Sequence, residues 1–368
     1  MKKLNLSIVF SLCAMFSFAQ TVNELKFVDA LDLEILGRAF DNTSGAYGRL
    51  PSDMQSQYRA ELWELGKCTA GVAVRFSSNA TVLGAKWTLL GNYTMAHMAA
   101  TGQHGLDLYV LDNGKWRYLG TGIPDNNTTS LSAILIDEME GVEREYLLYL
   151  PLYTGASKVE IGCNQSAAIE KPKQNILRSH KEMSYQPIVF YGTSILQGGC
   201  ASRPGMAHTS IIGRALQTDV INLGFSGNAK CDKSMLETMK RIDAQAYMLD
   251  FVPNMQIDTW ESGTTLFADS AKTFITGLAA AKPGATIYIV EHQNSPVIVV
   301  PEHKATIKKH NDALFAIYNT LKETYTNLVY IKSDGIIGDD GEGSVDGTHL
   351  TDLGFMRLAE NLLKYLSE

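Results

Sequence analysis

One serine of this 368-residue chain stands directly after a short apolar segment and a glycine. Residues 188–191 read Ile-Val-Phe-Tyr, a composition typical of a buried strand, and Gly192-Thr193-Ser194 follow. The glycine lets the backbone turn sharply at the carboxyl end of the strand, where open α/β sheets place their ligands. Ser194 is therefore a candidate nucleophile. Such a serine needs a base to take its proton and donors to hold an oxyanion.

A carboxylate and an imidazole stand three residues apart near the other end of the chain. Asp346 and His349 precede a predicted helix at 352–366, so a single loop can carry both of them. Histidine is the side chain best suited to take a proton from a serine near neutral pH, and a carboxylate can orient it. This loop is a candidate source of the base.

Two further polar loops lie between these segments in the sequence. Gly227 follows a predicted strand at 219–223, and Asn254 follows one at 246–251. Both loops offer polar groups. The carboxyl ends of three predicted strands would thus carry the candidate nucleophile and these two polar loops.

These four segments, in this order and at strand ends, resemble the SGNH (GDSL-like) hydrolase superfamily over residues 185–368. The resemblance implies hydrolysis of ester bonds, and no cofactor is expected. The roles it implies are nucleophile Ser194, base His349, orienting carboxylate Asp346, and oxyanion-hole donors Ser194, Gly227 and Asn254.

The chain departs from the family pattern in two of the segments. The first reads Gly-Thr-Ser where Gly-Asp-Ser is common, and the third has Val252 and Met255 where a glycine and an aspartate are usual. Some related esterases work with a Ser–His dyad, in which a backbone carbonyl orients the imidazole. A dyad that does not need Asp346 is therefore an open alternative.

Composition and length favour a two-domain globular protein. Hydrophobic residues make up 45% and charged residues 19% of the chain, which is ordinary for globular protein. At this length, each of two domains can bury its own hydrophobic core. The net charge of −7, without a cluster of Lys or Arg, argues against a nucleic-acid partner. A neutral or small substrate is expected.

Residues 1–19 have the pattern of a secretory signal peptide. Lys2 and Lys3 precede an apolar stretch that ends at Ala19, so the mature chain is expected to start at Gln20 and to be exported. A lipoprotein cleavage before Cys13 is disfavoured by the large Leu12. No later run has the length and apolarity to span a bilayer, so stable membrane insertion is not expected.

Residues 20–180 are predicted to form an all-β sandwich of jelly-roll type. Short segments with period-two alternation recur from 22 to 169, no helical segment of any length is foreseen, and Asn113-Gly114 marks a hairpin turn. The region resembles the β-sandwich domains that precede SGNH domains in some exported carbohydrate esterases. Residues 170–184 are expected to be a linker.

Residues 181–368 are predicted to form a flavodoxin-like, three-layer α/β domain with a five-stranded parallel sheet, because strands and helices alternate. The expected strands are 188–191, 219–223, 246–251, 285–291 and 328–332, and the expected helices are 205–217, 232–241, 264–281, 302–324 and 352–366.

Other histidines do not form a metal motif in the sequence. His303 and His310 stand seven residues apart on one predicted helix, two turns and too far to share an ion. There is no Cys-x-x-Cys and no His-Glu-x-x-His, so no metal is predicted. Arg203 and His208 either line the pocket or face solvent, and His292 is expected to be a core or rim histidine.

Four cysteines remain after the signal peptide, and an exported chain permits disulfides. Cys200 and Cys231 follow adjacent predicted strands, so their loops lie within range of a bond. Cys68 and Cys163 fall in the N-terminal half. Three pairings are possible, and four buried free thiols are an equally open reading.

The sequence thus predicts an exported serine esterase that removes short acyl groups, acetyl first among them, from carbohydrate. Lipase or lysophospholipase activity is the close variant, but no obvious apolar lid is present. A second hypothesis is a non-catalytic carbohydrate-binding protein in which the SGNH domain is a relic.

Overall fold

A computed structural model describes residues 21–125, 127–172, 186–255, 266–293 and 300–367. The predicted signal peptide, most of the predicted linker and the predicted domain boundary near 180 lie outside these residues. Among the described residues, no helix has the length and hydropathy needed to cross a membrane.

The N-terminal half contains two antiparallel sheets. Their strands are β1 Lys26–Asp29, β2 Glu34–Leu36, β3 Ala73–Ser78, β4 Leu83–Leu89, β5 Leu106–Asp112, β6 Lys115–Gly122, β7 Ser130–Ile136, β8 Arg144–Tyr149, β9 Ala156–Cys163 and β10 Ile169–Glu170. One sheet has the order β1-β9-β4-β7, and the other has β10-β3-β8-β5-β6 with β2 also paired to β3.

The two sheets share one hydrophobic core, which confirms the predicted β-sandwich. Trp87 and Ile161 enter it from the first sheet, and Phe76 and Leu148 enter it from the second. Asn113 and the following glycine have φ values of 48° and 75° and join β5 to β6, as the hairpin signal predicts. The jelly-roll assignment stays a prediction.

The C-terminal half is built on five parallel strands. They are β11 Ile188–Gly192, β12 Val220–Gly224, β13 Ala246–Asp250, β14 Thr286–Val290 and β15 Leu328–Ile331, in the order β12-β11-β13-β14-β15. This is the flavodoxin-like order, so the predicted α/β fold is confirmed. Each predicted strand lies within two residues of its observed bounds at either end.

Helices cover both faces of the parallel sheet. They are α3 Ser194–Gln197, α4 His208–Leu216, α5 Lys233–Lys240, α6 Leu266–Ala281, α7 Pro301–Leu321 and α8 Asp352–Leu366; α1 Ala60–Gly66 and α2 Ala100–Gln103 lie in the N-terminal half. Alternate residues of β11 enter different cores: Val189 and Tyr191 on one face, Ile188 and Phe190 on the other. This gives the three-layer arrangement.

The expectation that no helical segment interrupts the N-terminal half is wrong. A 3₁₀ helix, Ser52–Gln57, and α1 lie between β2 and β3. Both are too short for helical periodicity to show in the sequence. Their apolar side chains do not enter the sandwich, because Met54, Tyr58 and Leu62 pack into the core on one face of the parallel sheet.

A buried arginine joins the two halves. Arg49 is 1% exposed and donates hydrogen bonds to the carbonyls of Leu65 and Cys68 on its own side and of Asn222 and Gly224 in β12. Burial lowers its pKa to about 10. The four carbonyls satisfy a guanidinium that has no carboxylate partner among these contacts.

A second link between the halves corrects the expectation for Arg203. Arg203 is expected from the sequence to line the pocket or face solvent, but its guanidinium lies 2.8 Å from the buried carboxylate of Asp107 in β5. The backbone N–H of Gly205 donates to the same carboxylate. Arg203 therefore holds the segment after α3 against the sandwich.

Candidate active site

Ser194 begins the four-residue helix α3, two residues beyond the end of β11. Ser194 is only 8% exposed to solvent. Its carbonyl is fixed by three donors, the backbone N–H groups of Gly198 and Gly199 and the hydroxyl of Tyr153. The hydroxyl of Ser194 is thus presented by a rigid backbone.

Gly192, two residues before Ser194, allows a close approach of backbone segments and does not form the predicted sharp turn. Gly192 is the last residue of β11 and lies opposite Gly224 and Asp250. A Cβ on Gly192 would come within 2.4 Å of the Asp250 carbonyl oxygen, and one on Gly224 within 2.3 Å of the Gln197 nitrogen. Both glycines allow close backbone approach.

His349 and Asp346 complete a hydrogen-bonded chain with Ser194. The Nε2 atom of His349 lies 3.0 Å from the Ser194 hydroxyl oxygen, and its Nδ1 lies 2.8 Å from a carboxylate oxygen of Asp346. Because a carboxylate only accepts, Nδ1 carries the proton and Nε2 presents its lone pair to the serine. The structure brings all three predicted residues together.

Asp346 is held by its own loop. Its second carboxylate oxygen accepts from the backbone N–H groups of Thr348 and His349, at 3.0 and 2.7 Å. Burial would raise the pKa of this carboxyl, but the hydrogen bonds from the His349 ring and from the two backbone N–H groups outweigh it and lower the pKa to about 2. Asp346 is therefore ionised at any pH near neutral.

The predicted oxyanion donors lie on neighbouring loops. Gly227 is exposed in the loop after β12 at φ 67°, with open space where a Cβ would stand. Asn254 ends a 3₁₀ helix after β13, and its side-chain oxygen accepts from the Ala229 N–H at 3.1 Å. That contact leaves the Asn254 NH₂ group as a donor. The N–H of Ser226 donates to Gln197 of α3, which ties this loop to the nucleophile.

His208 belongs to the core instead of lining a pocket or facing solvent. It is 1% exposed, and its ring stacks on Phe355 and meets Phe190 edge-on. Burial lowers its pKa to about 3. His208 lies in the first turn of α4 and is covered by α8. A prediction from the polarity of the side chain could not foresee this burial.

Two further histidines of the C-terminal half, His292 and His310, pack against each other. His292, half-buried after β14, donates from Nδ1 to the Gln293 carbonyl and stacks on His310, as expected of a rim histidine. His310 lies in α7, as does position 303, whose side chain is outside the described residues.

Cys68, Cys163, Cys200 and Cys231 are buried free thiols in this structure. The disulfide alternative between Cys200 and Cys231 is therefore not realised. Burial raises the pKa of both thiols, that of Cys200 to about 11. Cys231 lies at φ 56° just before α5, and its N–H donates to the Tyr191 hydroxyl.

Sequence reasoning missed the contribution of the N-terminal half to this site. Tyr153, after β8, fixes the Ser194 carbonyl, and the exposed His97, between β4 and α2, lies with its ring centroid 5.3 Å from that of His349. Neither residue belongs to a recognisable segment. Only the packing of the two halves brings them to the serine, so no local sequence signal could have found them.

An activated serine, an oriented imidazole and amide donors on adjacent strand ends can carry out acyl transfer. The fold and this constellation define a serine hydrolase of the SGNH type. Comparison with known proteins narrows the class. Residues 185–367 match the GDSL-like lipase/acylhydrolase family, and residues 25–169 match the N-terminal domain of SGNH-hydrolase-type esterases.

Solved structures agree with these matches. A protein from Bacteroides ovatus described as a GDSL-like lipase is 33% identical, with a TM-score of 0.84 over 93% of this chain and 97% of that one. The chain therefore belongs to the GDSL-like lipase/acylhydrolase family, and it is an ester-hydrolysing serine hydrolase. No curated protein matches its sequence.

More distant structures share the fold. The salicylyl-acyltransferase SsfX3 from a tetracycline biosynthetic pathway is 16% identical, with a TM-score of 0.70 over 94% of this chain and 98% of that one. An acetyl xylan esterase from the rumen bacterium Butyrivibrio proteoclasticus is 13% identical, with a TM-score of 0.51 over 93% and 98%.

Proposed function

We propose that the protein is an exported esterase that removes acetyl or similarly short acyl groups from carbohydrate, with Ser194, His349 and Asp346 as its catalytic triad. One observation carries the catalytic assignment: the unbroken chain of hydrogen bonds from the Ser194 hydroxyl through His349 to Asp346.

The reaction follows from this geometry in two balanced halves. His349 Nε2 takes the hydroxyl proton as the Ser194 oxygen attacks the ester carbonyl, and the imidazolium then gives that proton to the departing alcohol. Water then attacks the acyl-serine as the same nitrogen takes its proton, and the imidazolium returns that proton to the Ser194 oxygen as the acid leaves. The N–H groups of Ser194 and Gly227 and the Asn254 amide hold the oxyanion in both halves.

The preference for a short acyl group draws on the surroundings of the serine. The hydroxyl lies on a residue with little exposure, and His97 and His349 place polar rings beside it. A long acyl chain needs an extended apolar surface beside the nucleophile, which these rings do not offer. The acetyl xylan esterase of similar fold motivates acetyl on a carbohydrate as the first substrate to test.

The structure around Asn254 argues against the second hypothesis, a non-catalytic protein with a relic SGNH domain. Val252 and Met255, the two departures from the family pattern in the third segment, are buried in the core on one face of the sheet. Between them, Asn254 keeps its side-chain oxygen on Ala229 and its amide free to donate. The departures change the packing of this loop without removing the donor.

The substrate proposal is tested with 4-nitrophenyl esters of two, four, eight and twelve carbons, followed by acetylated xylo-oligosaccharides. We expect kcat/KM to be highest for acetate and at least about tenfold lower for the eight-carbon ester. The Ser194→Ala variant should run at the uncatalysed rate on all of them. Faster turnover of the long esters would favour a lipase, and equal rates for the two proteins would refute an enzyme.

Export is tested separately by sequencing the amino terminus of protein recovered from outside the cytoplasm. Cleavage after Ala19 leaves Gln20 as the first residue. Recovery of the chain with Met1 intact in the cytoplasm alone would contradict export and leave the catalytic proposal untouched.

A further inference from the structure

Three metal-binding side chains meet beside the proposed nucleophile. His97, Cys200 and His349 each offer one ligand atom, and these atoms all lie within 4.8 Å of one another. They come from three separate segments: the connection between β4 and α2, the residues just after α3, and the loop before α8. Two imidazoles and a thiolate form a donor set that suits Zn²⁺.

We propose that His97, Cys200 and His349 form an inhibitory site for Zn²⁺ or a similar soft divalent ion. Zinc–nitrogen and zinc–sulfur bonds of about 2.1 and 2.3 Å put tetrahedral ligand atoms roughly 3.6 Å apart. Each pair is already within 4.8 Å, so a shift of about an ångström closes the site. His97 is exposed and can supply that shift by rotating its side chain.

Metal binding and catalysis exclude each other at His349. Both of its ring nitrogens are engaged, one with Ser194 and the other with Asp346. An ion needs the lone pair of one of them, and the loss of either contact disables the base. Binding at Nε2 keeps Asp346 on Nδ1, the carboxylate–histidine–metal arrangement found in zinc sites.

The sulfur of Cys200 makes this site selective for soft metal ions. Its thiol is buried, and burial and the nearby charge of Asp346 raise its pKa to about 11, so the metal-free site holds a neutral S–H group. On binding, a sulfur–metal bond replaces the S–H bond and the proton passes to the buffer. A hard cation such as Mg²⁺ has little affinity for this donor set.

The binding itself is tested without any enzyme assay. Co²⁺, which substitutes for Zn²⁺ and is coloured, is added to the full chain from Gln20 onward. We expect tetrahedral visible bands and a near-ultraviolet thiolate-to-cobalt band at one ion per chain, both abolished by excess Zn²⁺. Cys200→Ser should lose the thiolate band, whereas Cys163→Ser, which changes a buried thiol in β9, should keep it. Absence of the band, or its survival in Cys200→Ser, would overturn the site.

A second experiment measures inhibition of ester hydrolysis by the metal ion, and this experiment rests on the proposed function. Zn²⁺ is titrated against 4-nitrophenyl acetate hydrolysis, with reversal by EDTA, and each variant is compared with its own metal-free rate. His97→Ala changes an exposed side chain, so it should fold, and it should raise the half-inhibiting concentration at least about tenfold. Unchanged sensitivity would refute the role of His97. If the protein hydrolyses no ester, the proposed function fails while the cobalt bands still decide the metal site.

Discussion

At the residue scale, Asp346 determines which nitrogen of His349 faces the serine. Replacing it with asparagine keeps the size of the side chain but allows the wrong tautomer of the imidazole. We expect Asp346→Asn to lower kcat by up to about 10⁴-fold and His349→Ala to remove nearly all activity. Steady-state kinetics on 4-nitrophenyl acetate measure both losses. A loss below about tenfold for Asp346→Asn would indicate a dyad instead.

The same pair gives a pH dependence with a definite sign. The pKa of Asp346 is lowered to about 2, so this carboxylate stays charged across the range in which activity is measured. Acidification therefore removes the charge that orients the imidazole only as the pH falls toward 2. We expect Asp346→Asn to lower kcat by the same factor at pH 5 as at pH 7, because the carboxylate of the unchanged protein is ionised at both. A loss that shrinks toward pH 5 would mean that Asp346 takes up its proton in that range.

Asn254 offers a test of the oxyanion hole that separates catalysis from folding. Asn254→Asp keeps an oxygen to accept from the Ala229 N–H but replaces the donating NH₂ group by a second acceptor. We expect kcat to fall by about 10²–10³-fold while the urea midpoint shifts little. Asn254→Ala should lose the rate and some stability, since the Ala229 N–H also loses its partner. Full activity in Asn254→Asp would exclude this donor.

The proposed triad can be predicted from the sequence because each of its members lies in a short segment with a recognisable order. Ser194 follows a strand and a glycine, and the spacing of Asp346 and His349 lies within one loop. His97 and Tyr153 carry no such signal, since their roles come from packing between segments far apart in the chain.

At the element scale, the parallel sheet requires glycine where β11 ends. Gly192→Ala would push a Cβ to 2.4 Å from a backbone oxygen of β13, which cannot move without distorting the sheet. We expect a loss of about 2 kcal/mol or more in the free energy of unfolding, together with reduced activity.

Gly284 is the matched control for this substitution. It precedes β14, has open space where a Cβ would stand and has no positive φ. Gly284→Ala should be neutral or slightly stabilising in the same urea titration, because it restricts the unfolded chain. Equal destabilisation by the two changes would contradict the close approach at β11.

Sequence patterns locate the long elements within a few residues and miss the short ones. The observed α8, Asp352–Leu366, has the predicted bounds, and its Thr351 cap accepts from the Gly354 N–H. The seven-residue α1 escaped prediction because two turns give too little periodicity. Its side chains are also buried by the other half of the chain, which a reading of local segments cannot foresee.

At the scale of the whole molecule, Arg49 and the segment around it make the two halves interdependent. Arg49→Met would leave three buried carbonyls and one part-buried carbonyl without this donor, two of them in β12. We expect at least about 3 kcal/mol of destabilisation in urea unfolding.

An exposed pair across the same boundary supplies the comparison. Arg241 bonds Asp53, with side chains 40% and 65% exposed, and such pairs contribute about 1 kcal/mol or less. Arg241→Met should therefore shift the unfolding free energy far less than Arg49→Met. Similar shifts would mean that Arg49 does not join the halves energetically.

The most direct test of the whole account is the covalent labelling of Ser194. The full chain is treated with diethyl 4-nitrophenyl phosphate, which phosphorylates an activated serine, and the product is digested and mapped by mass spectrometry. We predict one diethylphosphoryl group per chain, on the peptide that carries Ser194, and no labelling of Ser194→Ala or His349→Ala. Labelling of another residue, or equal labelling of the His349→Ala variant, would contradict a serine activated by His349.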